Sequence, residues 1–127
     1  MSKNWQFDVR QSMSEVYDQP VRYVPTIDVD EKEILLRQEL IKEEVKETLD
    51  GLESGDLVAV ADGIVDSIVV LLGTACTLGI DVQPLWDEVH RTNMAKLGGP
   101  MREDGKRLKP KGWVGPDIER FLEKQKP

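Results

Sequence analysis

Leu57 to Leu78 reads LVAVADGIVDSIVVLLGTACTL and closes at Gly79. Wound as a helix, this run is apolar on every side, with Val58, Val60, Ile64, Val65, Ile68, Val69, Val70, Leu71 and Leu72 spread around the axis. A helix of that kind is expected to be buried. Its β-branched content would also suit a buried strand, but the uninterrupted length is far beyond a normal strand. A membrane span is the competing reading. Asp62 and Asp66 lie inside the run and no basic flank follows, so insertion would be costly. The run is therefore read as the core helix of an all-α protein.

The flanking segments are also helical in pattern. Ser54-Gly55-Asp56 ends one helix and caps the next. The preceding helix starts near Asp28 or Asp30, which can cap free amides, carries Glu31 and Glu33 in its first turn, and runs to about Glu53. At about 100° per residue its apolar stripe is Ile34, Ile41, Val45, Leu49 and Leu52, with Leu40, Glu43, Glu44 and Glu47 on an arc beside it. Before it, Trp5 to Tyr17 has loose helical spacing, and Pro20 and Pro25 mark an extended linker. After it, Asp81 can cap a helix with Pro84 in its first turn. Leu85, Trp86, Val89, His90, Met94 and Leu97 form the apolar face of that helix, and Gly98-Gly99-Pro100 stops it. The remainder is rich in Gly, Pro and Lys, with Asp104-Gly105 as the tight turn of a tiny hairpin and a short helix over Pro116 to Glu123.

A chain of 127 residues suits one domain, 1–127, with a helical core over 28–97 and a basic tail over 98–127. With 39% hydrophobic but only 6% aromatic residues, the core must be built from Val, Leu and Ile, which favours packed helices over an aromatic-rich barrel. The net charge of -7 argues against nucleic acid or anionic lipid as partners. It is unevenly placed: residues 1–97 carry net -10 and residues 98–127 net +3, an acidic body with a cationic tail that could fold over something negative. The single cysteine, Cys76, forms neither an internal disulfide nor a cysteine cluster and is read as core. No secretory signal opens at Met1-Ser2-Lys3-Asn4, so a cytoplasmic location is expected.

The chemistry is carried by carboxylates. Asp62 and Asp66 share one face of the most hydrophobic helix, where an ionised group is costly unless it is paired or binds a cation. If the two long helices pack antiparallel across their short connection, Glu43, Glu44 and Glu47 converge on the same spot. Hard oxygen donors in that number select Mg²⁺ or Mn²⁺ rather than zinc. The alternatives are solvated glutamates on a generic helix and an Asp66 that meets an arginine such as Arg37. A di-iron bundle would need two Glu-x-x-His motifs, and this chain has one histidine, His90, read as a packed core residue. Asn93 and Lys96 point toward the apolar face by the same angular count, and an amide with an ammonium there suits a phosphorylated ligand. The alternative is that Asn93 satisfies a helix end and Lys96 snorkels to water.

Three motifs in order carry a family resemblance: Leu36 to Glu47 (LRQELIKEEVKE), Ala61 to Asp66 (ADGIVD) and Glu88 to Leu97 (EVHRTNMAKL). They resemble the MazG-like nucleoside triphosphate pyrophosphohydrolases, an all-α superfamily that includes dimeric dUTPases, dCTP pyrophosphatases and phosphoribosyl-ATP pyrophosphohydrolase. The likeness continues through Arg102 to Lys106 and Lys109 to Trp113 to Pro116-Asp117. It implies a four-helix-bundle-like domain completed by a second subunit, with an irregular C-terminal tail. The family pattern of Glu-x-x-Glu followed by Glu-x-x-Asp, whose carboxylates hold Mg²⁺, is met by Glu44, Glu47 and Asp66. At the remaining position stands Gly63, which leaves Asp62 as the substitute ligand.

The expected activity is Mg²⁺-dependent hydrolysis of a nucleoside or deoxynucleoside triphosphate to the monophosphate and pyrophosphate, with dUTP or dCTP as first candidates. Glu43 or Glu44 is the expected base for the attacking water. Asn93, Lys96, Lys106, Lys109 and Lys111 would hold phosphate oxygens, and Trp113 would either stack on the base or pack. The alternatives are phosphoribosyl-ATP hydrolysis and a non-catalytic helical dimer that binds a cation or a nucleotide.

Overall fold

The computed structural model describes residues 4–127, so the Met1 to Lys3 part of the N-terminal reading lies outside it. Its helices are α1 (Trp5–Glu15), α2 (Glu31–Ser54), α3 (Leu57–Thr77), α4 (Val82–Met94) and α5 (Ile118–Glu123). No strand occurs among the described residues, and the fold class is all-α as expected. The chain forms two compact units, one up to Asp81 and one from Val82 onward. That boundary differs from the expected division at 97/98: α1 belongs with the long helices, and α4 belongs with the tail.

In the first unit the sequence signals act where they were read. The Asp30 carboxylate accepts from the Lys32 amide at 3.1 Å, and Glu33 accepts from the Asp30 amide at 3.3 Å, closing a capping box on α2. Gly55 ends α2 in the left-handed region at φ 72°, and Asp56 accepts from the Ala59 amide to open α3. The linker over 17–30 satisfies the carbonyls at the end of α3. The Arg22 amide donates to Cys76 O at 2.9 Å, the Thr26 amide donates to Leu78 O at 2.9 Å, and the Arg22 guanidinium donates to Thr77 O while gripping both oxygens of Glu33. Val9, Met13 and Cys76 form the buried core, with Val21 and Leu72 against it.

Two packing expectations are corrected. The buried side of α2 is not the Ile34, Ile41, Val45, Leu49 and Leu52 stripe, since Val45, Leu49 and Leu52 are exposed. Arg37 and Gly51 are buried instead, with Glu44 and Thr48 partly so. Small residues let the antiparallel helices approach. A Cβ on Gly51 would lie 3.1 Å from the Val60 amide nitrogen, and one on Gly63 would lie 2.9 Å from Thr48 Cα. α3 is likewise not covered on every side: Leu57, Val58, Ile64, Val65 and Leu71 are exposed although the helix is long and apolar enough to cross a membrane. Within the chain its buried residues are Gly63, Val70, Gly73 and Thr77 and, toward its C-terminal end, Ala75 and Cys76, the last packed with Val9 and Met13 of α1.

In the second unit α4 buries Glu88 and Thr92. The expected apolar face is not the packed one: Trp86, Val89, Met94 and Leu97 are exposed, as is His90, which is therefore not a core residue. The reason is polar anchoring. Glu88 accepts from the Arg91 guanidinium at 2.7 Å and from the Asp117 amide at 2.8 Å, fastening the chain before α5 to α4. The Asp104-Gly105 hairpin forms as expected, with an antiparallel bridge between Met101 and Arg107 and the Gly105 amide donating to Arg102 O.

Candidate functional site

Arg37 begins the site because its position in α2 sets what the acidic groups lack. Its guanidinium is buried and donates to Thr74 Oγ1 at 3.3 Å, Gln19 Oε1 at 3.2 Å and the Val70 carbonyl at 3.0 Å. All three acceptors are neutral, so Asp66 is not neutralised by Arg37, the alternative weighed from sequence. Burial alone pulls the Arg37 pKa below its usual value, and a neighbouring carboxylate does not offset it.

Two turns further along α2, Glu44 sits half-buried beside α3. Its pKa is raised, first by burial and then by the negative charges of Glu47, Asp66 and Asp62. Asp66 is raised in the same way, by burial and by Asp62 and Glu47. Antiparallel packing of α2 and α3 thus brings Glu44, Glu47, Asp62 and Asp66 within electrostatic reach of one another. Glu43 is exposed and is not a member of this interacting set. Among the described residues no lysine, arginine or histidine forms an ion pair with any of the four. Lys46, next to Glu47, is held by Asp50 at 2.7 Å.

Glu44 Oε2 is buried without a hydrogen-bond partner. An orphaned carboxylate oxygen facing like charges is a destabilising arrangement that a hard cation would relieve, and an all-carboxylate donor set suits such an ion. The residues therefore fit a divalent metal. Among the described residues no three acidic, histidine or cysteine groups converge closely enough to enclose one ion, so the expected gathering on one spot holds for electrostatic reach and not for coordination.

Gly63 has a structural cause. A side chain there would run into Thr48, with only 2.9 Å from its Cβ to the Thr48 backbone, so the α2–α3 contact excludes a carboxylate at that position. Asp62, one residue earlier, places its negative charge near both Glu44 and Asp66.

Beside Glu44 and Asp66 lies a cavity of about 320 Å³ within the first unit. Val9, Met13, Leu40 and Val69 give it apolar walls, and its polar lining comes from Gln19 and Arg37 together with Ser12, Tyr17 and the carboxylates of Glu44 and Asp66 themselves. Sequence reasoning missed Gln19 and named Arg37 only as an alternative partner for Asp66. Gln19 stands next to the linker proline and Arg37 off the apolar stripe, so neither is marked by helical periodicity.

The expected phosphate contacts fall in the second unit. Lys96 Nζ donates to Asn93 Oδ1 at 3.1 Å and lies 5.2 Å from the Trp113 ring centroid, and Lys109 Nζ lies 4.9 Å from the same ring. Trp113 Nε1 donates to the Thr92 carbonyl at 2.8 Å, which pins the indole to α4. Both ammonium groups therefore rest on an anchored aromatic ring, and Trp113 packs rather than presenting a free face. Asn93 is exposed, contrary to the inward placement read from sequence, as are Lys106 and Lys111.

Comparison with family models supplies the decisive observation. The phosphoribosyl-ATP pyrophosphohydrolase model matches residues 10–93, two thirds of the chain. The chain belongs to this family. No curated protein matches it. The phosphoribosyl-ATP pyrophosphohydrolase family is part of the MazG-like all-α superfamily, so the resemblance read from the three motifs is correct and the activity class is nucleotide pyrophosphohydrolysis. The matched segment contains Glu44, Glu47, Asp62, Asp66 and Asn93, and it stops before Lys96 and the tail lysines.

Proposed function

We propose that this chain hydrolyses a nucleoside or deoxynucleoside triphosphate to the monophosphate and pyrophosphate in the presence of Mg²⁺, with Mn²⁺ as a substitute and dUTP and dCTP as the first substrates to test. The observation that carries the reading is the orphaned Glu44 oxygen, set among Glu47, Asp62 and Asp66 with no basic partner. In this reading Glu44, Glu47, Asp62 and Asp66 hold the ion. When bound, it neutralises the acidic wall, polarises a phosphoryl oxygen and lowers the pKa of a water.

Glu44 is the proposed base. It would take a proton from water as the oxygen–phosphorus bond forms and the α–β anhydride bond breaks, releasing pyrophosphate. Glu43 is the second candidate for that role. Asn93, Lys96, Lys106, Lys109 and Lys111 are proposed to contact phosphate oxygens, with Trp113 holding Lys96 and Lys109 in place. A second copy of the chain is proposed to cover the apolar residues of α3, which one copy leaves exposed.

The family match also favours phosphoribosyl-ATP as substrate. Resolving the products from dUTP, dCTP, ATP and phosphoribosyl-ATP separates the two readings. Monophosphate and pyrophosphate from a simple triphosphate are expected. Turnover of phosphoribosyl-ATP alone, or release of inorganic phosphate alone, would contradict the proposal.

A further inference from the structure

Between Leu57 and Gly73 the only polar side chains of α3 are Asp62, Asp66 and Ser67, and the divalent-metal reading leaves Ser67 without a task. Its hydroxyl meets α2, where Ser67 Oγ lies 3.3 Å from Thr48 Oγ1. Thr48 Oγ1 also donates to the Glu44 carbonyl, one turn back, at 2.8 Å. A hydroxyl carries one hydrogen. With that of Thr48 committed to Glu44 O, Ser67 is the donor across the helix pair, and the bonds run in one direction, from Ser67 through Thr48 to the backbone of Glu44. Among the described residues the other side-chain hydrogen bonds from α2 to α3 come from Arg37, about three turns away.

The two hydroxyls stand amid the acidic set. Asp62 immediately precedes Gly63, which packs on Thr48, and Asp66 immediately precedes Ser67. Glu47 immediately precedes Thr48, and Glu44 supplies the carbonyl. A threonine that bonds back to its own helix tends to destabilise and bend it, so helix stability does not explain a hydroxyl here. Valine has the same branched shape and would fill the contact with Gly63 without either bond. At 3.3 Å the interhelical bond is longer than an ordinary O–H···O contact and adds little to stability. Its effect is on register, by setting the Glu44 to Thr48 turn of α2 against the Gly63 to Ser67 turn of α3.

We propose that Thr48 and Ser67 are positioning residues, whose hydroxyl relay onto the Glu44 carbonyl holds the two acidic turns in the register at which Glu44, Glu47, Asp62 and Asp66 take up a divalent ion together. The proposal rests on the metal reading above and adds to it two residues that need not touch the ion.

Mn²⁺ titration of the full chain, followed by electron paramagnetic resonance with helicity checked by circular dichroism, tests this apart from turnover. Thr48→Val and Ser67→Ala are each expected to weaken Mn²⁺ binding about tenfold, the low end of the loss when a group that orients a metal ligand is removed. Thr48→Ser keeps the hydroxyl and should bind as wild type does. The double variant should bind no more weakly than Thr48→Val alone, because both substitutions break one relay. A role confined to packing predicts the reverse: Thr48→Val, which keeps the shape, would match wild type and Thr48→Ser would bind more weakly. Unchanged affinity in either Thr48→Val or Ser67→Ala, a loss in Thr48→Ser equal to that in Thr48→Val, or additive losses in the double variant would overturn the positioning role and leave the metal reading standing. Absence of Mn²⁺ uptake by the wild-type chain would overturn the metal reading and the positioning role with it.

Discussion

Glu44 and Asp66 hold their protons more tightly in the folded chain than in the unfolded one, because burial and like charges oppose ionisation. Their contribution to stability is therefore present below the ordinary carboxylate range and is lost as pH rises through the raised values. In EDTA, Asp66→Asn should raise the melting temperature at neutral pH, and the gain should vanish on acidification. An equal gain at every pH would contradict the repulsion. Glu88 has the opposite sign. The Arg91 guanidinium and the Asp117 amide hold it at about 2, so its contribution is present above the ordinary glutamate value and is lost as pH falls through about 2. Glu88→Ala should leave the Asp117 amide without its acceptor and speed hydrogen exchange in α5, while α2 exchange stays unchanged. These roles differ in how legible they are. The acidic positions were visible from spacing alone, whereas Glu88 looked like any surface glutamate because its partner, Asp117, is twenty-nine residues away.

The α2–α3 pair depends on close approach at Gly63, where any side chain meets Thr48. Gly63→Ala should destabilise the fold by about 1–3 kcal/mol, as overpacking of a close contact does, and Gly63→Glu should cost at least as much without adding a metal ligand. Chemical denaturation measures the first and Mn²⁺ titration the second; a Gly63→Glu chain as stable as wild type would contradict the contact. Element boundaries were readable because caps are local chemistry: Asp30, Gly55 and Asp56 each act where they stand in the sequence. The facing of the helices was not. α2 follows Arg37, Glu44, Thr48 and Gly51 rather than its leucines, since small and polar residues permit the approach and the apolar stripe is left outside it. α4 likewise turns Glu88 inward because its carboxylate accepts from the Asp117 amide in the tail, and the Thr92 carbonyl on the same side accepts from Trp113 Nε1.

For the whole molecule, the exposed Leu57, Val58, Val65 and Leu71 of α3 argue that one copy is an incomplete assembly. Sedimentation should show a dimer or larger species, and Leu71→Lys should shift it toward monomer with unchanged helicity; a monomeric wild type would contradict self-association. A second subunit was implied by the family resemblance, whereas the all-round apolar pattern of α3 did not show which of its residues one chain would leave exposed. The claim beneath the functional reading is that Glu44, Glu47, Asp62 and Asp66 together take up a divalent ion. Electron paramagnetic resonance titration with Mn²⁺ tests it directly. Wild type should take up Mn²⁺ at saturable sites that Asp66→Asn and Glu47→Gln each weaken by at least about tenfold, the effect of losing one charged ligand. Uptake that is absent, or undiminished in both folded variants, would contradict the account.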